Sequence, residues 1–291
     1  MSVVGQALER RVPYSRAVPN TRGATVKARR TFSLSAAVLA LVCATTGAAA
    51  AQPPSGSEVA LEPSGYPSPG SRVTSLVNTG GLPVTADIAS VYGATATADR
   101  DRWGDAAVRL PAPASGWSAP RAIMRVRHQA QSGDPLAPGS RDFSFGATFK
   151  KDQRSSGTTT DNGDNLIQRG LASDPAQYKI EVDGGRVACR VAGDAGAVTV
   201  RSTVPVYWHR WYSAECVRDG STVTLRVTEH LSGGDRVTSS RSSGSIGSLR
   251  WSKTRTPLSV GGKLAADGSV IRSATDQFNG VISDPFLDIR S

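Results

Sequence analysis

Cysteine is scarce in this 291-residue chain, which has three, together with three histidines, two methionines and 6% aromatic residues. No C-x-x-C pair occurs, which argues against a zinc ribbon or a thioredoxin-like redox centre. His128, His209 and His230 lie far apart, and no G-x-S-x-G elbow supplies a serine nucleophile, so no catalytic triad can be read along the chain. Beyond residue 51 no Lys/Arg block exceeds two residues and aromatics are not interleaved with basic runs, so nucleic acid is not an expected partner. No window past that point carries a 3.6-residue apolar period, which removes helical bundles from consideration.

The apolar stretch from Ser35 to Ala51 holds no charge and follows Arg29-Arg30-Thr31-Phe32-Ser33-Leu34. This pattern predicts an export signal over residues 1–51, of twin-arginine or Sec type, cut after the Ala49-x-Ala51 pair. The stretch is short, contains Ser and Thr, and ends in alanines, so no membrane span is expected in the mature chain. Cys43 follows Val42, where lipid attachment needs a small residue, and is expected to leave with the leader. Residues 1–51 hold seven Lys and Arg and one acid, so the remainder carries 27 bases and 23 acids. That mild surplus suits a solvated surface, and it can aid retention at an anionic cell wall.

Removal of the leader leaves Cys189 and Cys216 as an even pair in an oxidising compartment, and a disulfide is the natural reading. Both sit in period-two segments. Tyr178, Ile180 and Val182 alternate with Lys179, Glu181 and Asp183, then Asp183-Gly184-Gly185 marks a turn before Val187, Cys189 and Val191. A second hairpin runs from Trp211 through Tyr212, Ala214 and Cys216 to Asp219-Gly220 and back through Val223, Leu225 and Val227. Phe143, Phe145, Ala147 and Phe149 form the clearest core strand. Ala122 to Arg127, Val198 to Val206, Leu258 to Gly262 and Phe278 to Ile289 are further strand candidates. Residues 52–72, rich in Pro, Gly and Ser, are expected to be a linker. Residues 73–291 are expected to form one all-β sandwich of two antiparallel sheets.

The order of motifs resembles the laminin G-like modules of the concanavalin A-like lectin/glucanase superfamily, of the secreted bacterial type, over roughly residues 75 to 290. The resemblance rests on RDFSFGATFK (141–150), DNLIQRG (164–170) leading into QYKIEVDGGRVACRV (177–191), WHRWYSAECVRDGSTVTLRV (208–227), PLSVGGK (257–263) and DQFNGVISDPFLDI (276–289). It implies a jelly-roll with binding on loops or a concave face, and calcium in some members. Where the family's closing strand usually carries an acidic pair, this chain has Ser283 and Asp284.

The superfamily's retaining glucanases set two glutamates in E-x-D-x-x-E or E-x-D-x-E. Glu181-Val182-Asp183 begins such a motif, but Gly184, Gly185 and Arg186 follow and the second carboxylate is missing. No catalytic residue is therefore assigned. Asp161 and Asp164, in the stretch Asp161-Asn162-Gly163-Asp164-Asn165, offer hard oxygens suited to calcium, though without the EF-hand pattern; no other cofactor is expected. Among the tryptophans, Trp117 and Trp251, set among Ser, Pro, Lys and Arg, are the expected exposed rings for a ligand, whereas Trp211 leads into a core strand and is expected inside. The expected function is a secreted, non-catalytic module binding a glycan or an extracellular protein. A structural envelope domain without a small ligand and a polysaccharide hydrolase are the alternatives.

Overall fold

The alternation of apolar and polar residues organises the chain into two facing antiparallel sheets. The computed structural model describes residues 53–290 apart from Tyr66, Pro113, Ser115, residues 154–162, Thr254, Ala274 and Thr275; the expected leader, with Cys43, lies outside the described residues. Among the described residues there are seventeen strands and no helix. One sheet runs in the order β2 (Arg72–Val73), β5 (Ala96–Arg100), β6 (Ala106–Leu110), β17 (Gly280–Ile289), β8 (Phe143–Lys151), β13 (Trp211–Asp219), β14 (Thr222–His230) and β15 (Arg236–Ser243). The other runs β3 (Ser75–Asn78), β4 (Val84–Val91), β7 (Arg121–His128), β16 (Leu258–Val260), β9 (Asp164–Arg169), β10 (Gln177–Asp183), β11 (Arg186–Gly193) and β12 (Gly196–Pro205). β1 (Val59–Pro63) belongs to both, pairing with β17 through Val59 and Ala60 and with β3 through Leu61 to Pro63.

β1 corrects the expectation of a linker over residues 52–72. Val59, Ala60 and Leu61 are all buried. The side-chain amide of Asn78 accepts from the Ala60 N–H at 2.7 Å and donates to the carbonyls of Glu58 and Leu82 at 3.1 and 2.7 Å. Three consecutive apolar residues outweigh the proline and glycine around them once two sheet edges are available to pair with.

The two predicted hairpins fall in different sheets. β10 and β11 pair with Asp183 opposite Arg186, so Gly184 and Gly185 form a two-residue turn with φ of 56° and 75°, the left-handed pair that a type I′ turn requires. β13 and β14 pair from Trp211–His230 to Asp219–Thr222. Cys189 of β11 and Cys216 of β13 therefore face each other across the sandwich, and their disulfide joins the sheets with Cα atoms 6.1 Å apart. Beside it Phe145 lies 5.0 Å from Tyr178, and Phe149 packs on Tyr212 and Phe278 at 5.6 and 5.9 Å between ring centroids. These rings are completely buried, and each contributes roughly 1.5–3 kcal/mol relative to exposure.

The closing strand departs from strict alternation at one place. Ser283 pairs with Thr148 and Phe286 with Gly146, so β17 advances three residues while β8 advances two, a bulge that holds Asp284 at φ 50°. Burial, followed by the Asp101 charge, pushes the Asp284 carboxyl up to about 6 against an opposing hydrogen bond from Ser283, with smaller raising contributions from Asp105 and Glu62.

The double variant Cys189→Ala/Cys216→Ala is expected to lose about 3–4 kcal/mol in urea unfolding, because the bond closes a loop with a sequence separation of 27; a loss below about 1 kcal/mol contradicts the inter-sheet staple. For Asp284, the folded carboxyl binds its proton more tightly than the unfolded one, so its contribution falls as pH rises from about 4 to 6. Asp284→Asn, which tolerates the left-handed backbone, is then expected to stabilise the fold by about 1–3 kcal/mol at pH 7 and by little at pH 4. Equal melting curves at both pH values would refute this.

Candidate functional site

Where β10 turns into β11 and β12 leads to β13, the chain leaves an open cleft of about 610 Å³. Its walls are the Gly184-Gly185 turn, Arg186 and the segment Pro205 to Arg210, with Lys151 and Asp164 at its base. The connection Val206 to Arg210 is fixed by its backbone. Val206 N–H donates to the Gly185 carbonyl at 2.8 Å, His209 N–H donates to the Lys151 carbonyl at 2.8 Å, and His209 takes a left-handed φ of 59°. The turn thereby holds two consecutive aromatics outward, Tyr207 at 48% and Trp208 at 55% exposure.

Polar groups at the end of the first sheet buttress this wall. Tyr212 Oη accepts from the Tyr207 N–H at 3.0 Å and donates to Glu229 Oε1 at 3.2 Å. Burial alone would raise the Glu229 pKa, but the hydrogen bond from Arg210 at 2.8 Å, the Arg236 charge and Tyr212 together hold it below the ordinary carboxylate range. The Arg210 guanidinium in turn lies 4.7 Å from the Tyr207 ring centroid, keeping one face of that ring occupied. Below, Lys151 and Asp164 form an ion pair at 2.6 Å with side chains only 3% and 1% exposed. Asn279 Nδ2 donates to Asp164 Oδ1 at 3.0 Å.

The structure sorts the residues expected from sequence. Trp117 is 63% exposed, as anticipated, on the connection between β6 and β7, and it is not part of the cleft. Trp251 is a correction: it is 6% exposed, with the Arg169 guanidinium 4.3 Å from its ring and Tyr178 edge-on at 5.8 Å. Its polar sequence neighbours point outward while the indole covers the buried Arg169, which pairs with Asp134 at 2.8 Å. Trp211 is a second correction. The register that sends Tyr212 into the core turns Trp211 outward, where it is half-buried with the Lys150 ammonium 5.0 Å from its ring.

Asp164 does not stand free for a metal. Its carboxylate is engaged by Lys151 and Asn279, so a cation there would have to displace the ammonium. Asp161 falls outside the described residues. Among the described residues no group of three or more His, Cys, Asp or Glu is arranged to hold a metal ion. Glu181 pairs with Lys179 at 2.7 Å and Asp183 with Arg201, so each carboxylate of the truncated glucanase-like motif has its own cation. The sequence signal for the cleft was present in Tyr207-Trp208-His209-Arg210, three aromatic rings and a cation between two strands, but only the fold brings Lys151, Asp164 and the Gly184-Gly185 turn beside it.

The architecture is an all-β sandwich of two antiparallel sheets. No protein-family model matches this sequence and no curated protein matches it. Among solved structures, the binding domain of Paraclostridial Mosquitocidal Protein 1 is similar with a TM-score of 0.51 and 10% identity, over 81% of this chain and 49% of that one. The botulinum neurotoxin serotype G binding domain gives a TM-score of 0.46 at 13% identity over 81% and 48%, and the LG1-3 region of the laminin alpha2 chain gives 0.42 at 12% over 57% and 30%. The chain thus spans about half the length of the toxin binding domains, or less for laminin, and the likeness to the first is one of fold. No helix among the described residues is long and apolar enough to cross a membrane.

The buried ion pair is expected to be critical for the base of the cleft. Lys151→Met leaves Asp164 charged and enclosed, and should cost about 3–5 kcal/mol in denaturant unfolding. Lys151→Met/Asp164→Leu should recover most of that loss, and failure to do so would show that the pair does not act as a unit.

Proposed function

We propose that this chain is an exported binding module that takes a glycan into the Tyr207–Trp208 cleft and does not cleave it there. The observation that carries the reading is the pair of consecutive exposed aromatic rings held rigidly on the wall of a 610 Å³ cleft with charged groups at its rim and base. A sugar presents an apolar face edged by hydroxyls, which suits an aromatic surface beside Arg186, His209 and Arg210. Binding without cleavage agrees with the carboxylates: among the described lining residues Asp164 is the one acid and Lys151 neutralises it, whereas glycoside hydrolysis needs two. Export is supported by the twin-arginine and alanine pattern of residues 29–51 and by the Cys189–Cys216 disulfide. The laminin G-like order of motifs and the fold shared with a toxin binding domain support a recognition role.

A glycan array probed with the full chain, with and without chelator, tests this directly. Binding to a defined subset of glycans is expected, and Trp208→Ala should weaken it tenfold or more. Binding lost in chelator would bring calcium into the reading through the Asp161–Asp164 segment. An array without hits, or hits indifferent to Trp208→Ala, overturns the proposal.

A further inference from the structure

Three side chains that lie 5 to 22 residues apart meet on the outer face of the first sheet. Because Tyr212 and Ala214 of β13 point into the core, Ser213 points outward between two facing hydroxyls, Thr148 of β8 and Thr228 of β14. Its Oγ lies 2.8 Å from His230 Nε2, and His230 Nδ1 lies 2.8 Å from Asp235 Oδ2. Thr148 Oγ1 is 2.7 Å from Ser213 Oγ. Asp235 is brought there by the turn from β14 to β15, five residues after the histidine it orients. Across the imidazole, Trp103 packs edge-on at 4.8 Å, held by a turn in which Asp101 Oδ1 accepts the Trp103 and Asp105 N–H groups at 2.8 and 2.9 Å.

We propose that Ser213, His230 and Asp235 form an acyl-transfer site, with Ser213 as nucleophile, His230 as general base and Asp235 as the residue that orients and stabilises the imidazole, acting on esters of small carboxylic acids. Serine–histidine–carboxylate chemistry is defined by this geometry and these roles and not by fold or chain order. The hydrogen bonds assign themselves in sequence. Asp235 accepts from Nδ1–H, which leaves Nε2 to accept the Ser213 proton. Ser213 has one hydrogen, so the Thr148 hydroxyl must be the donor to Ser213 Oγ.

Beside Ser213 the sheet face holds a pocket of about 150 Å³ lined by Pro54, Glu215, Arg226, Thr228 and Phe286. Gly146 lets the Phe286 ring that lines it lie close against β8: a Cβ at residue 146 would meet that ring at 2.8 Å and the Ala214 carbonyl oxygen at 2.4 Å. A cavity of that size can hold a group as large as benzene, so acetyl to short-chain acyl groups fit. Pro54 and Phe286 give it apolar lining, and the Glu215–Arg226 ion pair at 3.0 Å gives it charged lining.

In the reaction Ser213 Oγ bonds to the acyl carbon as its proton passes to His230 Nε2. The ester C–O bond then breaks and that proton leaves with the alcohol. Water, activated in turn by His230, adds its oxygen to the acyl carbon, releases the carboxylic acid and returns the proton to Ser213. When Oγ becomes an ester oxygen, the Thr148 hydroxyl is freed to donate to the developing oxyanion, the electrostatic role that such sites need. Burial lowers the His230 pKa against the opposing influence of Asp235, with Arg102 also lowering it and Asp101 raising it, so Nε2 is an acceptor at neutral pH.

The site is independent of the glycan cleft and is tested separately. The full chain is incubated with a fluorophosphonate probe, the labelled peptide is mapped, and 4-nitrophenyl acetate hydrolysis is followed from pH 5 to 9. Labelling at Ser213, a rate that rises as His230 loses its proton, and loss of both in Ser213→Ala are expected. Asp235→Asn should slow hydrolysis by roughly 100-fold or more while leaving Ser213 in place. Hydrolysis unchanged in Ser213→Ala, or a folded wild-type chain whose Ser213 is not labelled, overturns the proposal. A melting curve for each variant separates unfolding from loss of chemistry.

Discussion

Phe143, Phe145 and Phe149 alternate along β8 with Ser144, Gly146 and Thr148, and everything else in the molecule is arranged around what that alternation imposes. The three rings bury themselves against Tyr178 on the opposite sheet, Tyr212 on the neighbouring strand and Phe278. In doing so they fix which way every side chain of β13 and β17 must face, since a slip of one residue would send polar side chains into the core. The disulfide then locks the second sheet onto the first at the level of Phe145, whose register partner is Cys216. The smaller residues between the phenylalanines are as constrained as the rings: Gly146 leaves room for Phe286, and Thr148 faces Ser213 and Ser283.

Much of this was legible in the chain because period-two alternation is a local signal. Both hairpins and β8 could be read from neighbouring residues, and the pairing of Cys189 with Cys216 from the even count that remains once the expected leader is set aside. Whether the cysteines joined adjacent or facing strands was not legible, because nothing local says that consecutive hairpins enter different sheets. β1 was missed for a related reason: composition over twenty residues diluted the three that matter, and its partners β3 and β17 lie 12 and 217 residues beyond its end. The tryptophans show the limit most clearly. Polar neighbours suggested exposure for Trp251, yet its ring covers an arginine that is itself buried, a long-range demand that no local window contains.

The sites follow the same division. Tyr207 and Trp208 are adjacent in sequence, but they become a wall only because Tyr212 and the Gly185 carbonyl fix the backbone that carries them. Ser213 and His230 are seventeen residues apart and become neighbours through a hairpin register, in which Ser213 faces Thr228 and His230 faces Trp211. A single strand therefore serves three environments, with Tyr212 and Cys216 in the core, Ser213 on the outer face, and its preceding turn at the cleft. The hairpin register and the backbone hydrogen bonds of the turns together place all of these side chains.

β1 has a mechanical meaning as well as a structural one. Its first half is bonded to β17 and its second half to β3, with both ladders antiparallel and running along the strand axis. A pull on the segment preceding Val59 is therefore borne in shear, by several hydrogen bonds at once, and it is divided between two sheets that the disulfide prevents from separating. Load applied from that side is thus shared by both sheets and is not taken by one edge alone.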